Sequence, residues 1–151
     1  MLELARKSDW EAVNRLSVQI HDMHASWRPD IYVHSEAPYP YEAFLDDIQN
    51  RMVYVAKLQD AVIGYVVLKI LKKGGPGTVE KTVLRLDSIC VDAPLRGQGI
   101  GKAMVNDVRA LARAFGCSGL ILGVHPENDD AVGFYQKCGF RIRTINMDMS
   151  L

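Results

Sequence analysis

The chain has 151 residues, a length that favours one domain spanning residues 1–151. Hydrophobic residues make up 48% and charged residues 24%, as in soluble globular proteins, and the longest apolar stretch, 61–71, is too short to cross a bilayer. The 18 basic side chains balance 18 acidic ones, so no excess of positive charge points to nucleic acid. We therefore expect neither a membrane nor a nucleic acid as a partner.

Neither a targeting segment nor a disulfide framework is expected. Charged residues near the start occupy positions where a signal peptide would carry its apolar core. The chain has widely spaced cysteines without a CxxC pair: Cys90, Cys117 and Cys138. This pattern indicates reduced thiols in a cytoplasmic protein and argues against a zinc site.

The first half of the chain predicts helices and strands in a mixed order. Ser8 or Asp9 can cap a helix whose apolar stripe ends near Trp27, because the next residue precedes a proline. Apolar runs on either side of Gln59-Asp60 predict a hairpin. The other elements expected here are a strand at 2–5, a helix at 41–50, hairpin strands at 52–58 and 61–71, a flexible connection at 74–77 and a long strand at 78–91.

The second half begins with a glycine-rich loop at 94–101. We expect a helix to about Phe115 that Gly116 closes, a short strand at 120–124, a helix at 128–137 and a closing strand at 140–149. This order of elements predicts an α/β fold in which helices cover a mixed sheet.

The loop is the most informative segment, because it joins a strand to the start of a helix. Its glycines allow positive φ and a close approach of an anion to main-chain N–H groups, and the helix dipole favours phosphate there. A Walker A loop would need glycine at Arg96 and a hydroxyl residue at Ala103, and the Rossmann spacing also fails. What remains is Arg96-x-x-Gly99-x-Gly101, which a turn without any ligand would also satisfy.

A second motif follows about thirty residues later, Asn128-x-x-Ala131-x-x-x-Tyr135-x-x-x-Gly139-Phe140. Together the two motifs resemble the GCN5-related N-acetyltransferase (GNAT) family, which carries (Q/R)xxGx(G/A) and then this second pattern. The resemblance is specific from 86 to 140, whereas the earlier part agrees only in the order of its elements. It implies a single-domain fold whose mixed, mostly antiparallel sheet is flanked by helices and splayed near Val91 at the cofactor site.

The resemblance also implies acetyl-CoA as the co-substrate and no metal. Backbone N–H groups of the loop would hold the pyrophosphate, the preceding strand end would pair with the pantetheine arm, and Asn128 would hydrogen-bond the cofactor near its middle. The implied loop residues are Arg96, Gly97, Gln98, Gly99, Ile100, Gly101 and Lys102, and the implied strand residues are Ile89, Cys90 and Val91.

Tyr135 matches the family tyrosine that protonates the departing thiolate, and a packing role beside Phe134 is the alternative. Asp87 is the candidate general base, because partial burial would raise its pKa. Two alternatives fit the sequence equally well: the Asp87 carboxylate pairs with Arg85 instead of acting as the base, or a chain of water molecules is the base. A backbone N–H near Ile89 or Cys90 would stabilise the oxyanion. A further alternative is Cys90 as a nucleophile that carries the acyl group, but no histidine lies nearby in sequence to activate it.

The acceptor side is expected between His21 and Asn50, where six acidic residues and one arginine give a net charge of 1 − 6 = −5. Five aromatic residues lie in the same segment, so it suits a cationic amine through cation–π and ion-pair contacts, although a solvated helix face has the same composition. His21 and His24 are one helical turn apart but have no second pair that would complete a metal site.

These observations favour an acetyl-CoA-dependent N-acetyltransferase that transfers an acetyl group to a primary amine by direct attack in a ternary complex. The acceptor would be a small-molecule amine, a peptide N-terminus or a lysine, and a homodimer is a further expectation. The alternative is a non-catalytic acyl-CoA-binding regulatory module, against which the presence of Tyr135 argues. A nucleotide-binding protein is disfavoured by the failed Walker and Rossmann templates.

Overall fold

The computed structural model describes all 151 residues, with five strands, four α-helices and two short 3-10 turns. The elements in chain order are β1 (Leu2–Leu4), α1 (Trp10–Trp27), α2 (Tyr41–Gln49), β2 (Val53–Leu58), β3 (Ala61–Gly75), β4 (Thr78–Val91), α3 (Ile100–Ala114), β5 (Gly119–Leu122) and α4 (Asp129–Lys137). The 3-10 turns are Lys7–Asp9 and Ala93–Leu95. None of the helices has both the length and the apolar character that a transmembrane helix requires.

The strands form one open sheet in the order β1-β2-β3-β4-β5. The first four strands are antiparallel neighbours, and β5 lies parallel to β4 because α3 carries the chain back across the sheet. The predicted fold class, a mixed and mostly antiparallel sheet flanked by helices, is therefore confirmed.

Two layers of helices cover the two faces of this sheet. On one face, Val13 and Leu16 of α1 and Phe44 of α2 pack against side chains that include Val55 and Tyr65. On the other face, the apolar stripe of α3 packs against a second set of strand residues. Residues 62–68 of β3 are all buried, since alternate side chains enter the two cores. This explains why β3 reads in sequence as a continuous apolar run.

The β3–β4 hairpin is longer than the sequence predicts. Pairing continues beyond Leu71 through Lys73↔Lys81 to Gly75↔Thr78, and the predicted flexible connection is reduced to a tight turn. The distal part is mostly exposed, so its ladder of backbone hydrogen bonds, and not burial, continues the strands. Strand β5 is shorter than the sequence predicts, since it ends at Leu122 and not at Val124.

The predicted closing strand at 140–149 is wrong. The chain after Phe140 has no regular structure, and its large apolar side chains are exposed: Ile142, Ile145, Met147, Met149 and Leu151. Asp148 forms an ion pair with Arg28, the residue that follows α1, with 2.7 Å between Oδ2 and Nη2. The alternation in this tail is compatible with a strand, but a strand forms only where it has a sheet edge to pair with, and the tail does not pair with β5.

Candidate active site

A gap opens in the sheet between β4 and β5. The two strands pair in parallel from Val83↔Gly119 to Leu86↔Leu122, and β5 then ends while β4 continues for five more residues. Beyond Leu86, β4 has a strand neighbour only on its β3 side. This is the splay near Val91 that the family resemblance implies.

The peptide groups that face this gap follow from the ladder between β3 and β4. Asp92 N–H donates to the C=O of Ile63 on β3 at 2.8 Å. Because hydrogen-bonded and non-hydrogen-bonded pairs alternate in an antiparallel ladder, the N–H groups of Ile89 and Val91 point away from β3 and into the gap. The N–H of Cys90 points towards β3. Of the two predicted oxyanion donors, the geometry therefore favours Ile89.

Cys90 lies in the core on the α1 and α2 face of the sheet, 4% exposed. Burial raises the pKa of its thiol, and the lesser influence of Arg96, whose Nη2 is 3.9 Å from Sγ, opposes that rise. A buried thiol with a raised pKa is a poor nucleophile. The geometry gives no support to an acyl-carrying cysteine.

A β-bulge marks Asp87. The β3–β4 register passes from Val67↔Ser88 to Leu68↔Leu86, so Asp87 is the extra residue of β4. Its carboxylate oxygens accept hydrogen bonds from Nε and Nη2 of Arg85, which is the pairing that the sequence left open as the alternative to catalysis. The carboxylate is thus held by a guanidinium, and its role as a base stays a prediction.

The glycine-rich loop and the start of α3 form a cradle of N–H groups. Gly97 and Gly99 have φ of 77° and 84°, and a Cβ at either residue would meet no heavy atom within 4 Å. The first backbone bond of the helix runs from Ala103 N–H to Gly99 C=O at 3.1 Å, which leaves the preceding N–H groups of the helix without backbone acceptors. Open space in front of free N–H groups at a helix N-terminus fits a diphosphate.

Arg96 is bound within the protein in this structure. Its backbone N–H donates to the C=O of Ala93 at 3.3 Å, and its guanidinium donates to Val91 C=O (2.9 Å) and to the side-chain oxygen of Gln19 on α1 (3.3 Å). Gln19 also donates to the Asp92 carboxylate at 2.9 Å, which lowers the pKa of that carboxyl group. These contacts fix the loop against α1, so the N–H groups available to a ligand begin at Gly97.

Asn128 caps α4. Its Oδ1 accepts the Ala131 N–H at 3.1 Å, which satisfies one of the unpaired donors of the first turn. A direct contact with the cofactor remains a prediction for this residue. Seven residues on, Tyr135 is partly buried between Phe134 and Phe140 and packs against the α3 core. Burial raises the pKa of its phenol to about 12, so the group stays protonated at neutral pH.

The acidic segment is only partly available to a cationic acceptor. Asp22 and Glu36 both contact His34, which raises the pKa of that imidazole. Further along, Arg28 pairs with Asp30, Tyr39 donates to Asp47, and Phe44 is fully buried in the core. The acids that lie exposed on α2 without a side-chain partner are Glu42 and Asp46.

Sequence reasoning missed a cluster of imidazole and phenol rings beside the gap. Tyr32 and His125 are hydrogen-bonded, 2.9 Å from the hydroxyl to Nε2, and the His24 ring of α1 is 5.4 Å and 5.3 Å from theirs. The only feature of the sequence that could have indicated this cluster is the position of His125, three residues after the end of β5. No three or more His, Cys, Asp or Glu side chains converge in an arrangement that could hold a metal ion.

A small groove lies away from these residues. It has a volume of about 290 Å³ and is lined by the C-terminal half of α3, the start of β5 and residues 138–140. The glycine-rich loop is at the opposite end of α3, so the groove is separate from the candidate site.

Comparison with known proteins identifies the family. Residues 18–140 match the model of the acetyltransferase (GNAT) family. The chain is 30% identical over 125 residues to a peptidyl-lysine N-acetyltransferase of Salmonella typhimurium, covering 78% of this chain and 74% of the relative. It is 31% identical over 114 residues to a glucosamine 6-phosphate N-acetyltransferase of Trypanosoma brucei brucei, covering 72% and 74%.

Solved structures agree. A Bacillus halodurans protein, BH1408, superimposes with a TM-score of 0.95 at 26% identity, covering 100% of this chain and 99% of that one. An aminoglycoside N-acetyltransferase in complex with CoA shares the fold at 18% identity, with a TM-score of 0.70 and coverage of 100% and 93%. The chain belongs to the GNAT acetyltransferase family, as its two motifs predict.

Proposed function

We propose that this GNAT family member uses acetyl-CoA to acetylate a primary amine by direct attack in a ternary complex. One observation carries the proposal: the gap beside β4 leads directly into the cradle at the start of α3. A single 3-10 turn, Ala93–Leu95, separates the gap-facing N–H groups of Ile89 and Val91 from the N–H groups that begin at Gly97. An extended ligand with a diphosphate at one end fits this arrangement.

The residues of the cradle suit the diphosphate of CoA. The N–H groups from Gly97 to Lys102 would donate to it, and the positive end of the α3 dipole would favour its charge. The amide-containing pantetheine arm would add to the free side of β4 as an extra strand, with Ile89 and Val91 as partners. Asn128 would contact the cofactor near its middle. When bound, acetyl-CoA supplies an activated acetyl group as a thioester.

Two groups of the chain would act on the reacting atoms. The N–H of Ile89 would polarise the thioester carbonyl as negative charge develops on its oxygen. Tyr135 would donate its phenolic proton to the departing thiolate, since the phenol is protonated at neutral pH. The sequence predicts Asp87 as the base for the amine, a role that would require its carboxylate to leave Arg85.

The acceptor would be a small-molecule primary amine, a peptide N-terminus or a lysine. Support comes from relatives named for a peptidyl-lysine, for glucosamine 6-phosphate and for blasticidin S. Glu42 and Asp46, exposed on α2, would attract an additional positive charge on the acceptor.

The test is release of free thiol from acetyl-CoA in the presence of four amines: a lysine peptide blocked at its N-terminus, glucosamine 6-phosphate, blasticidin S and spermidine. Turnover with at least one amine supports the proposed activity. Tight CoA binding without turnover of any amine would instead support the acyl-CoA-binding regulatory module.

A further inference from the structure

Three segments of the chain bring an unusual set of rings together beside the gap. α1 contributes His24, the segment after α1 contributes Tyr32, and the chain leaving β5 contributes His125. The phenol oxygen of Tyr32 is 2.9 Å from Nε2 of His125, and the two rings are nearly perpendicular at a centroid distance of 5.6 Å. All three side chains are partly buried, so the cluster is sheltered but accessible from solvent.

The cluster is built from segments that border the gap and the glycine-rich loop. His125 lies in the stretch where the chain has separated from β4 to form the gap. On α1, His24 directly follows Met23, whose sulfur is 3.7 Å from a guanidinium nitrogen of Arg96 in the loop. The cluster therefore stands where α1, the predicted acceptor segment and the end of β5 meet.

Burial and the neighbouring imidazoles disfavour the protonated form of His24. On α1 the facing titratable groups are His21 and His24. Burial lowers the pKa of His24, and the nearby His125 and His21 lower it further. Of the carboxylates along these segments, Asp22 pairs with His34, and Asp30 and Asp148 pair with Arg28, whereas Glu127, two residues after His125, is exposed and forms no ion pair.

The direction of the hydrogen bond depends on the tautomer of the imidazole. In the neutral tautomer with the proton on Nδ1, the phenol of Tyr32 donates to Nε2 of His125. In this arrangement the phenol oxygen keeps its lone pairs available for a donor from the substrate side. His21 is held separately, because its Nε2 contacts the C=O of Val33 at 2.6 Å.

We propose that Tyr32 and His125 form the proton-accepting pair for the acceptor amine, a role that rests on the proposed acetyltransferase function. One N–H bond of the substrate ammonium breaks as the Tyr32 oxygen takes its proton, and the phenol proton of Tyr32 passes to Nε2 of His125, which becomes an imidazolium. The freed lone pair of the amine attacks the acetyl carbon, and the resulting tetrahedral intermediate collapses as its C–S bond breaks and Tyr135 protonates the departing thiolate. The nitrogen then loses its second proton, through solvent, to the Tyr135 phenolate, which leaves the neutral amide. His125 releases its proton to solvent.

In this scheme Tyr32 is the catalytic residue that touches the substrate, and His125 acts through it. Tyr32 and His125 contact each other and form no ion pair, so the pair is free to take up a proton. Asp87 lacks this freedom while Arg85 holds its carboxylate.

The experiment compares Tyr32→Phe, His125→Gln and the double variant with wild type, using thiol release from acetyl-CoA with the four amines of the panel between pH 5.5 and 9. Each single variant should lower kcat/KM at pH 7 by roughly 10²-fold, the scale of one general base, and the double variant should lose little more. The fall of kcat/KM towards low pH that is expected for the wild type should be absent from both single variants. Tyr54→Phe is the control, because that buried phenol of β2 lies outside both the cluster and the candidate site, and it should keep the wild-type profile.

Imidazole added to His125→Ala should restore part of the lost rate. A residue with only a packing role would not show this rescue. CoA affinity by calorimetry and thermal unfolding would show that each variant is folded. Should His125→Gln fail to fold, Tyr32→Phe removes a single oxygen and gives the same test. Wild-type pH profiles in active Tyr32→Phe and His125→Gln would overturn the proton-accepting pair while leaving acetyl transfer intact. A wild-type protein that acetylates none of the four amines would overturn both proposals.

Discussion

Valine at position 99 should strongly weaken CoA binding while the protein remains folded. Gly99 has φ of 84°, and the space where its side chain would project is open, which is where the diphosphate would approach. Valine there would block the N–H groups at the start of α3. The loss of two hydrogen bonds to a charged group, each contributing about 1.5–3 kcal/mol, corresponds to a decrease in affinity of roughly 10²-fold or more.

The structure offers a matched control at the β3–β4 turn. Gly77 has nearly the same φ, 80°, and a Cβ added there would also meet no heavy atom within 4 Å, but it lies in the distal turn of the hairpin. Both valines should therefore cost a similar backbone strain of about 1–3 kcal/mol, read from denaturant unfolding. Calorimetry with CoA should separate them: Gly77→Val binds like wild type and Gly99→Val does not. Equal CoA affinity in Gly99→Val and wild type would refute the assignment of the cradle.

Four further outcomes follow from the same geometry. Tyr135→Phe should lower kcat by roughly 10²-fold with little change in CoA affinity, measured by thiol release and calorimetry; an unchanged kcat would remove the phenol from the mechanism. Because burial raises the pKa of Tyr135 from 10.0 to about 12, its contribution to stability is complete below pH 10 and is lost as pH rises through 12; the wild type should lose roughly 2–3 kcal/mol more than Tyr135→Phe over that window in denaturant titrations. Glu42→Gln combined with Asp46→Asn should raise KM for spermidine more than for a monoamine, and added salt should lower kcat/KM for spermidine in the wild type; preference for an uncharged or anionic amine would contradict this. The exposed apolar tail after Phe140 should bind a second copy of the chain, so sedimentation velocity should show a dimer for the full chain and a monomer for a chain ending at Phe140; identical behaviour of the two would argue against it.

The sequence determined the features that depend on local patterns. The glycines at 97 and 99 have positive φ, as the loop motif requires, and Gly116 and Gly139 follow the ends of α3 and α4 in the same left-handed region. The order of helices and strands follows from apolar periodicity, and the two motifs identify the family. Each of these signals lies within a dozen residues, where spacing and backbone conformation are directly coupled.

Other features depended on the tertiary structure, because contacts between distant segments produce no periodic pattern in the amino-acid sequence. The pairing of Asp87 with Arg85 was one alternative that the sequence offered, and only the tertiary structure shows that the pair forms. The tail after Phe140 has the alternation of a strand, yet strand formation depends on a sheet edge that this tail does not reach.

The ring cluster is the clearest case of a feature that only the fold created. Tyr32 and His125 are 93 positions apart, and nothing in their neighbours predicts that they share a hydrogen bond. They meet because β5 ends at Leu122 while β4 continues, which directs the following residues towards α1. The sequence determined the glycine-rich loop at the start of α3, and the separation of β4 from β5 decided which side chains lie beside the gap.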